Sequence, residues 1–312
     1  MSAPRQARVR ALAKINLDLR VLHPRPDGYH EIRTVFQTIS LADTIDIEFT
    51  RARRTTIRID GNIDIPDNLI VRAASLALEA VRISANVSFR LRKRIPMGAG
   101  LGGGSSDAAA VLLALPVLAG RRIETGRLLE LGSQLGSDVP FFLFGGTAVA
   151  LGRGTELYPL PDVPPRRGLL VAPGLHISTA AAYRALDAYL TTELQQNKIV
   201  SFQSQVWSEP AGGDSVNDFE TVAFEQFPQL ALWKRRLVKL GAHPAMMTGS
   251  GSALFGLFGT QAQVDRAQKS LSEQNVFPIS LVSRVRYRRL WRRSLAAYIE
   301  GNLWPPLGRS ER

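Results

Sequence analysis

The segment from Pro96 to Ala110 limits the possible folds and functions of this chain most strongly. Five of the seven residues from Gly98 to Gly104 are glycine. Two serines, an aspartate and an alanine-rich apolar run follow, which predicts a flexible loop leading into a helix. Glycine has no Cβ, so such a loop can bring many backbone N–H groups close to an anion. The helix N-terminus adds unpaired N–H groups and a partial positive charge. Together these features predict a phosphate-binding site.

The residues around the loop exclude three common nucleotide-binding motifs. Residues 98–103 fit G-x-G-x-x-G, but the preceding strand, 86–93, alternates apolar and polar residues, whereas a dinucleotide-binding strand is buried on both faces. No Lys-Ser or Lys-Thr follows the glycines, as a Walker A loop requires. The chain also has no Asp-Phe-Gly or His-Arg-Asp string of protein kinases. A plain glycine-rich turn before a helix stays as the alternative interpretation.

Strand and helix signals are interleaved along the chain without strict alternation, which favours an α+β fold over a doubly wound α/β fold. A stretch with four prolines at 156–168 is a candidate domain junction. Strands are predicted at 8–22, 32–40, 44–50, 55–60, 86–93 and 168–172, with a strand, a glycine turn and a strand within 245–258. Helices are predicted at 68–80, 106–115 (stopped by Pro116), about 125–135, 179–190, 220–226, 229–240 and 261–274.

Composition limits the classes of protein that this chain can be. Its 312 residues are 45% apolar, enough for one large or two medium domains with a real core. It has no cysteine, which excludes disulfides and thiolate chemistry, and its four histidines lack metal-ligand spacing. No apolar run reaches the roughly 18–20 residues of a membrane helix, and the N-terminus lacks a hydrophobic signal core. We therefore expect a cytoplasmic protein that is not embedded in a membrane.

Several separated motifs, in order and at sensible spacing, resemble those of the GHMP small-molecule kinases. They are Ala13-Lys14-Ile15-Asn16-Leu17, Asp27-Gly28-Tyr29-His30-Glu31, Pro96 to Ala109, Gly136-Ser137-Asp138-Val139-Pro140-Phe141-Phe142 and Thr248-Gly249-Ser250-Gly251. The similarity runs from about residue 10 to about residue 285. The Asp-Gly-Tyr-His string is typical of the branch that phosphorylates the 2-hydroxyl of 4-CDP-2-C-methyl-D-erythritol with ATP, in the non-mevalonate isoprenoid pathway. The resemblance implies that activity here.

The resemblance also implies a two-domain architecture with the active site between the domains. A ribosomal-S5-like, ATP-binding and catalytic domain is expected at 1–160, and a ferredoxin-like, substrate-binding domain at 161–276. The segment 277–293 is expected to pack back on the first domain, and 294–312 forms a basic tail outside the family pattern. For the whole protein we expect a monomer or a weak homodimer.

Asp138 and Lys14 are the candidate catalytic residues. Asp138 stands between a glycine and an apolar run, where a partly desolvated carboxylate suits a general base, although it equally suits a cap of the short segment before Pro140. The resemblance favours the catalytic role. It pairs Asp138 with Lys14, whose alternative is an exposed strand lysine. Asn16 is two residues from Lys14 on the same strand face and resembles the residue that holds the acceptor's hydroxyls; its alternative is a solvated amide.

The resemblance assigns a second group of residues to the cytosine end of the acceptor. An aromatic residue at Tyr29 stacks on the base, and His30 hydrogen-bonds it. Tyr183 matches a second aromatic that closes the other side of the ring, and Thr179 lies in the same segment. Stacking of a base on an aromatic side chain contributes about 1–3 kcal/mol. The alternatives are a helix core residue for Tyr183 and a turn histidine for His30.

The candidate cofactors are ATP and Mg²⁺. Ser106 or Asp107 is a possible metal ligand, although a helix cap is the alternative for each of them. Asn68 resembles a residue near the adenine, and its alternative is also a helix cap. The predicted ATP- and phosphate-binding residues are Asn68, Pro96, Gly98, Gly100, Gly102, Gly103, Gly104, Ser105, Ser106, Thr248, Gly249 and Gly251.

Two rival functions stay open at this point. The first is a GHMP kinase for another small alcohol, of the homoserine or mevalonate type, which would have no use for Tyr29, His30 and Tyr183. The second is an S5-like RNA-binding module, because the net charge is +12 and the segment 284–293 interleaves arginines with aromatic residues. We favour a surface helix with a solvated basic face for that segment. Nucleic acid is thus an unlikely partner, and the small-molecule substrate is the expected one.

Overall fold

Two β-sheets organise this computed structural model, which describes residues 3–63, 65–190, 192–208 and 215–309. The first sheet contains β1 (Arg5–Pro24), β2 (His30–Arg51), β3 (Thr56–Gly61), β4 (Ala85–Arg92), β5 (Thr147–Gly152) and β6 (Glu156–Pro159). Its order is β3-β4-β2-β5-β6, with β1 paired to β2. All pairs are antiparallel except β3 and β4, which are parallel.

The two strands predicted at 32–40 and 44–50 are one continuous strand, β2. Its partner β1 changes register between Leu12 and Lys14 and again between Asn16 and Asp18. Such β-bulges bend a strand and re-aim its side chains without ending it. Residues 41–43, which separate the two predicted strands, therefore lie within a bent strand rather than in a turn.

Helices pack on one face of the first sheet: α1 (Leu69–Val81), α2 (Gly103–Leu118), α3 (Thr125–Leu135) and α4 (Val139–Phe142). The prediction that α2 runs from about 106 to 115 is wrong at both ends. It starts at Gly103, so the last glycines of the loop form its first turn. Pro116 lies inside the last turn, where it removes only one helical hydrogen bond and the buried surroundings hold the helix together.

The second sheet contains β7 (Arg167–Ala172), β8 (Ala245–Met247), β9 (Leu254–Phe258) and β10 (Asn275–Ser280). It is antiparallel with the order β10-β7-β9-β8. The helices of this half are α5 (Thr179–Asp187), α6 (Thr192–Ser208), α7 (Phe219–Gln226), α8 (Pro228–Lys239) and α9 (Gln261–Ser270). The α+β class predicted from the sequence is confirmed. Within the described residues, no helix is both long and apolar enough to cross a membrane.

The C-terminal segment comprises α10 (Arg284–Ser294), β11 (Ile299–Glu300) and β12 (Leu307–Gly308). Tyr287 and Trp291 of α10 are buried in the core of the first sheet. The interleaved arginines and aromatics therefore do not form a base-stacking surface, since both ring systems point into the protein.

A separate apolar cluster joins the two halves of the chain. Ile15 and Leu17 of β1 belong to the same buried cluster as Leu170 of β7 and Phe255 of β9. Because successive side chains of a strand point to opposite faces, the polar residues between them face away from this cluster. Strand β1 therefore carries Lys14 and Asn16 along the seam between the two sheets.

Candidate active site

The glycine loop forms a wall of a cavity of about 450 Å³. Gly98, Gly100 and Gly102 have φ angles of 63°, 77° and 68°, which glycine adopts without steric cost. The predicted residues that line the cavity are Asn68, Pro96, Gly98, Gly100, Gly102, Gly103, Gly104 and Ser105. The N-terminus of α2 follows directly, so loop amides and helix amides converge as a phosphate site requires.

Asn68 has the capping role that was its alternative interpretation. Its side-chain oxygen accepts a hydrogen bond from the N–H of Ile70 at 3.0 Å and begins α1. The same residue lines the cavity beside the loop. The cap therefore fixes Asn68 at the cavity edge.

A second glycine turn, from the other half of the chain, packs directly on the loop. A Cβ added to Gly249 would lie 2.9 Å from the Cα of Gly100, and one added to Gly100 would overlap the carbonyl oxygen of Thr248. Gly249 and Gly251 have φ angles of 57° and 95°. The turn Thr248-Gly249-Ser250-Gly251 thus contacts the loop, and this contact needs glycine on both sides.

Asn16 connects this turn to the first strand. Its Oδ1 accepts hydrogen bonds from the Lys14 ammonium at 2.8 Å, the Gly249 N–H at 2.9 Å and the Thr248 hydroxyl at 3.2 Å. Its Nδ2 donates to the Thr34 hydroxyl at 2.7 Å. The alternative of a solvated amide is wrong, because the side chain is buried among these partners. Asn16 therefore aligns Lys14 with the glycine turn.

Lys14 and Asp138 face each other at the seam. The Lys14 Nζ is 3.7 Å from Asp138 Oδ2, and only 4% of Lys14 is exposed, so it is not the exposed strand lysine of the alternative interpretation. Burial lowers the pKa of the Lys14 ammonium below its usual range, and the charge of Asp138 opposes part of that shift. The ring of Phe36 lies 4.9 Å from Nζ and adds a cation–π contact.

Asp138 precedes the short helix α4, but its side chain makes no capping hydrogen bond. Its carboxylate instead lies over the glycine loop: a Cβ added to Gly102 would be 3.4 Å from Asp138 Oδ2. The side chain is 32% exposed, so it remains accessible to a ligand. The carboxylate is thus held beside both the phosphate cradle and a buried cation.

The aromatic residues of the acceptor end are arranged differently from the prediction. The rings of His30 and Tyr183 stack on each other with centroids 4.6 Å apart, and His30 Nε2 lies 2.6 Å from Asp187 Oδ1. Tyr29 is 52% exposed and lies under the Arg153 guanidinium, 4.6 Å from its ring centroid. A sandwich of Tyr29 and Tyr183 open to a base is therefore not formed, because His30 occupies the face of Tyr183.

Tyr183 packs as its alternative interpretation, a helix core residue, predicts. Its ring packs edge-on against the buried Phe219, as a core residue does. Burial raises its pKa to about 12, and the negative charge of Asp138 adds to that effect. The Tyr183 hydroxyl is thus close enough to Asp138 for the charge of that carboxylate to act on it. Thr179 begins α5, and its hydroxyl lies 2.9 Å from the Ser250 hydroxyl, so it contacts the second glycine turn.

Sequence reasoning missed Asn217, a buried residue behind the second glycine turn. Its Nδ2 donates to the carbonyl oxygens of Met247 and Gly249 at 2.8 and 2.9 Å. No motif marks it, and the polar segment around it is hard to assign from sequence. Its position becomes clear only when residues 30 apart in the chain are brought together.

The residues at the start of α2 differ in burial and in their hydrogen-bond partners. The Ser106 hydroxyl is buried and donates to the carbonyl oxygen of Leu12 at 2.7 Å, away from the cavity, while Ser105 stays partly exposed. Asp107 is buried beside Lys93 and Asp43. Burial raises the pKa of Asp107 to about 7, although the Lys93 ammonium acts against this. Burial is the largest cause of the increase, and the negative charge of Asp43 adds to it.

We expect Gly100→Ala to weaken ATP binding strongly. Alanine strains a positive φ, and its Cβ overlaps the Thr248 carbonyl, so the two glycine turns must separate. Affinity measured by calorimetry is expected to fall about 100-fold or more, given what misplacement of a site by about 1 Å costs. Gly126→Ala is the matched control, because a Cβ there meets nothing within 4 Å. Equal ATP affinities of the two variants would contradict the close approach.

We expect Asp107→Asn to change how stability depends on pH. A carboxyl whose pKa is raised in the folded state binds a proton that the unfolded chain has released, so wild-type stability falls as pH rises from about 4 to 7. Asparagine lacks this effect. The variant should therefore gain about 1–3 kcal/mol relative to wild type between pH 5 and pH 8. Urea unfolding at both pH values measures it, and a constant difference would contradict the assignment.

Comparison with known families agrees with this geometry. The model described as "GHMP kinases N terminal domain" matches residues 68–146, and the one described as "GHMP kinases C terminal" matches residues 205–276. With the relatives that follow, these matches show that the chain belongs to the GHMP kinase family. It is an ATP-dependent kinase, as the glycine loop and the Lys14–Asp138 pair predict.

Three known proteins show how similar this chain is to particular kinases. A protein of Solibacter usitatus named "4-diphosphocytidyl-2-C-methyl-D-erythritol kinase" is 60% identical over 309 residues, 98% of each chain. A crystal structure of 4-(cytidine 5'-diphospho)-2C-methyl-D-erythritol kinase has 37% identity and a TM-score of 0.75, covering 88% of this chain and 98% of that one. Homoserine kinase from Cytophaga hutchinsonii has a TM-score of 0.70 over 91% of this chain and 96% of that one. At 18% identity, it shows a likeness of fold alone.

Proposed function

We propose that this protein transfers the γ-phosphoryl group of ATP to the 2-hydroxyl of 4-CDP-2-C-methyl-D-erythritol, the compound in the names of its relatives. The observation that carries the proposal is the Lys14–Asp138 pair held beside Gly102 of the phosphate cradle. Phosphoryl transfer needs positioning and charge stabilisation more than covalent chemistry from the protein. A cradle, a carboxylate and an ammonium supply both. The reaction would lie in the non-mevalonate isoprenoid pathway, as the sequence resemblance implies.

In the transfer, the acceptor oxygen attacks the γ-phosphorus, and the bond between that phosphorus and the β–γ bridging oxygen breaks. ADP leaves with the electron pair, and Asp138 accepts the proton of the acceptor hydroxyl. Lys14 fixes the direction of the Asp138 carboxylate and offsets negative charge on the moving phosphoryl group. Asn16 holds the Lys14 ammonium through its hydrogen bond of 2.8 Å.

The residues at the start of α2 fit Mg²⁺, which stabilises charge on the nucleotide phosphates when it is bound. Among the described residues, Asp107 Oδ1 is a buried carboxylate oxygen without a hydrogen-bond partner, and Asp107 lines the nucleotide cavity. Ser105 lies on the partly exposed side of the same turn. Proteins usually hold Mg²⁺ with one or two carboxylates together with substrate phosphates. Asp107 and Ser105 would hold it here, and Ser106, whose hydroxyl is bonded to Leu12, would not.

The cytosine end of the acceptor is proposed to bind near His30, Tyr183 and Tyr29. The half-exposed Tyr29 ring would stack on the base through the face that Arg153 does not cover, and the stacked pair of His30 and Tyr183 would contact the base from another side. Asp187 fixes the orientation of His30. Binding a base directly against Tyr183 would require His30 to leave its present position.

A comparison of acceptors tests the proposal. The protein is incubated with ATP and Mg²⁺ and with 4-CDP-2-C-methyl-D-erythritol, homoserine or mevalonate, and ADP release is followed. We expect turnover with the first compound and at most traces with the other two, which carry no base for His30 and Tyr183 to bind. Preferential turnover of homoserine or mevalonate would contradict the proposal.

A further inference from the structure

Lys93 is a buried cation in the nucleotide cavity to which the mechanism above gives no role. It follows the last residue of β4 and directly precedes the glycine-loop segment. Its ammonium donates to Asp43 Oδ2 at 2.5 Å and to Asp107 Oδ2 at 2.8 Å. A buried ammonium retains its charge only when carboxylates compensate for lost hydration, and here two of them do so.

The two carboxylates hold opposite ends of the loop segment. Asp43, in β2, also accepts hydrogen bonds from the backbone N–H groups of Arg94 and Ile95, at 2.6 and 2.9 Å. It therefore fixes the residues that enter the loop. Asp107 lies in the first turns of α2, at the exit of the loop. Through Lys93, the entry and the exit of the loop are joined by a continuous set of hydrogen bonds.

We propose that Asp43, Lys93 and Asp107 form a clasp that holds the glycine loop in its nucleotide-binding shape before ATP arrives, with Lys93 as a positioning residue. The inference rests on the proposed function, because it takes ATP as the ligand of the loop. A glycine-rich segment has the largest conformational freedom of any sequence, and that freedom opposes binding when it is lost on contact with a ligand. A loop ordered in advance avoids this cost.

We expect loss of the clasp to affect the binding of the nucleotide but not that of the acceptor. Lys93 and Asp107 line the nucleotide cavity, whereas His30, at the opposite end of β2 from Asp43, and Tyr183 of α5 do not line it. Loosening the loop should therefore weaken ATP and ADP binding and leave the KM for the acceptor nearly unchanged. A residue that only supports the fold would lower thermal stability without separating the two substrates.

The test measures ADP binding by isothermal titration calorimetry in EDTA, so that loss of a metal ligand does not enter the result. Lys93→Met removes the ammonium and keeps the length of the side chain. Asp107→Leu breaks the exit side of the clasp and leaves Lys93 paired with Asp43, so this variant is expected to fold. For each, we expect the Kd for ADP to rise at least about tenfold. Asp46→Asn, on the outer face of the same sheet, is the control and should bind like wild type.

A conservative variant separates the hydrogen bond from the charge. Asp107→Asn keeps a side-chain oxygen that accepts from Lys93, and we expect its Kd for ADP to stay within about threefold of wild type. The double variant Lys93→Met/Asp107→Leu should bind ADP no more weakly than the poorer single variant, because residues of one network are not additive.

The measured ADP affinities and KM values distinguish failure of the clasp from failure of the proposed function. Folded Lys93→Met and Asp107→Leu proteins that bind ADP within about threefold of wild type would overturn the clasp, as would equal increases in the KM for ATP and for the acceptor. A wild-type protein that turns over its acceptor but whose clasp variants behave in this way would leave the proposed function standing. A wild-type protein that fails to bind ADP both in EDTA and with Mg²⁺ would contradict both.

Discussion

Asp138→Asn is expected to lower kcat at least about 10³-fold while the protein stays folded and binds ATP. Asparagine has the shape of aspartate but takes no proton from the acceptor, and positioned general bases contribute about 10²–10⁴-fold. It also removes the charge that faces the Lys14 ammonium at 3.7 Å. Because the carboxylate makes no capping hydrogen bond, its loss costs the helix that follows nothing. Steady-state kinetics with saturating substrates measure the effect.

A matched variant separates the role of Asp138 from a general effect of charge. Asp46→Asn also neutralises one carboxylate in the first half of the chain, but on the outer sheet face, between Arg8 and Arg92. It should keep a normal kcat. An Asp138→Asn protein with kcat within about tenfold of wild type would remove this residue from the chemical step.

Lys14→Met should lower kcat about 10²–10³-fold or more, the size of effect seen when one group that stabilises transition-state charge is deleted. Methionine fills the space of the buried stem and carries no charge. Asn16 keeps its hydrogen bonds to Thr248 and Gly249, so the second glycine turn stays in place. Replacing a buried charge with an apolar side chain is often neutral for stability, and we expect the Tm to stay within a few degrees.

The double variant shows whether the two residues act as one unit. If Lys14 works mainly by orienting and balancing Asp138, Lys14→Met/Asp138→Asn should be no slower than the slower single variant. A folded Lys14→Met protein with near-normal turnover would contradict the role of the ammonium. Fully multiplicative losses in the double variant would show that the residues act independently.

Local signals in the sequence predicted the parts of the site that depend on one segment. The loop needs glycine because three of its residues have positive φ and one touches the Thr248 backbone, so glycine density alone identified it. The alternation of β1 correctly placed Lys14 and Asn16 on one face. Element type was predictable for the same reason, since periodicity is a local property.

Contacts between distant segments could not be predicted in the same way. Asp43 and Lys93 are 50 residues apart, and nothing in either neighbourhood indicates an ion pair. The predicted substrate contact of Asn16 rested on its motif, whereas its buried hydrogen bonds depend on a turn more than 230 residues away. The stacking of His30 on Tyr183 joins residues more than 150 positions apart, so neither segment alone indicated it.

The most direct measurement is a crystal structure of the protein with a non-hydrolysable ATP analogue and its acceptor. We expect the triphosphate to lie along residues 98–105, and the acceptor hydroxyl to be within about 2.6–3.2 Å of an Asp138 carboxylate oxygen, with its oxygen directed at the γ-phosphorus. A triphosphate bound away from these glycines, or an acceptor hydroxyl out of reach of Asp138, would contradict phosphoryl transfer at this seam.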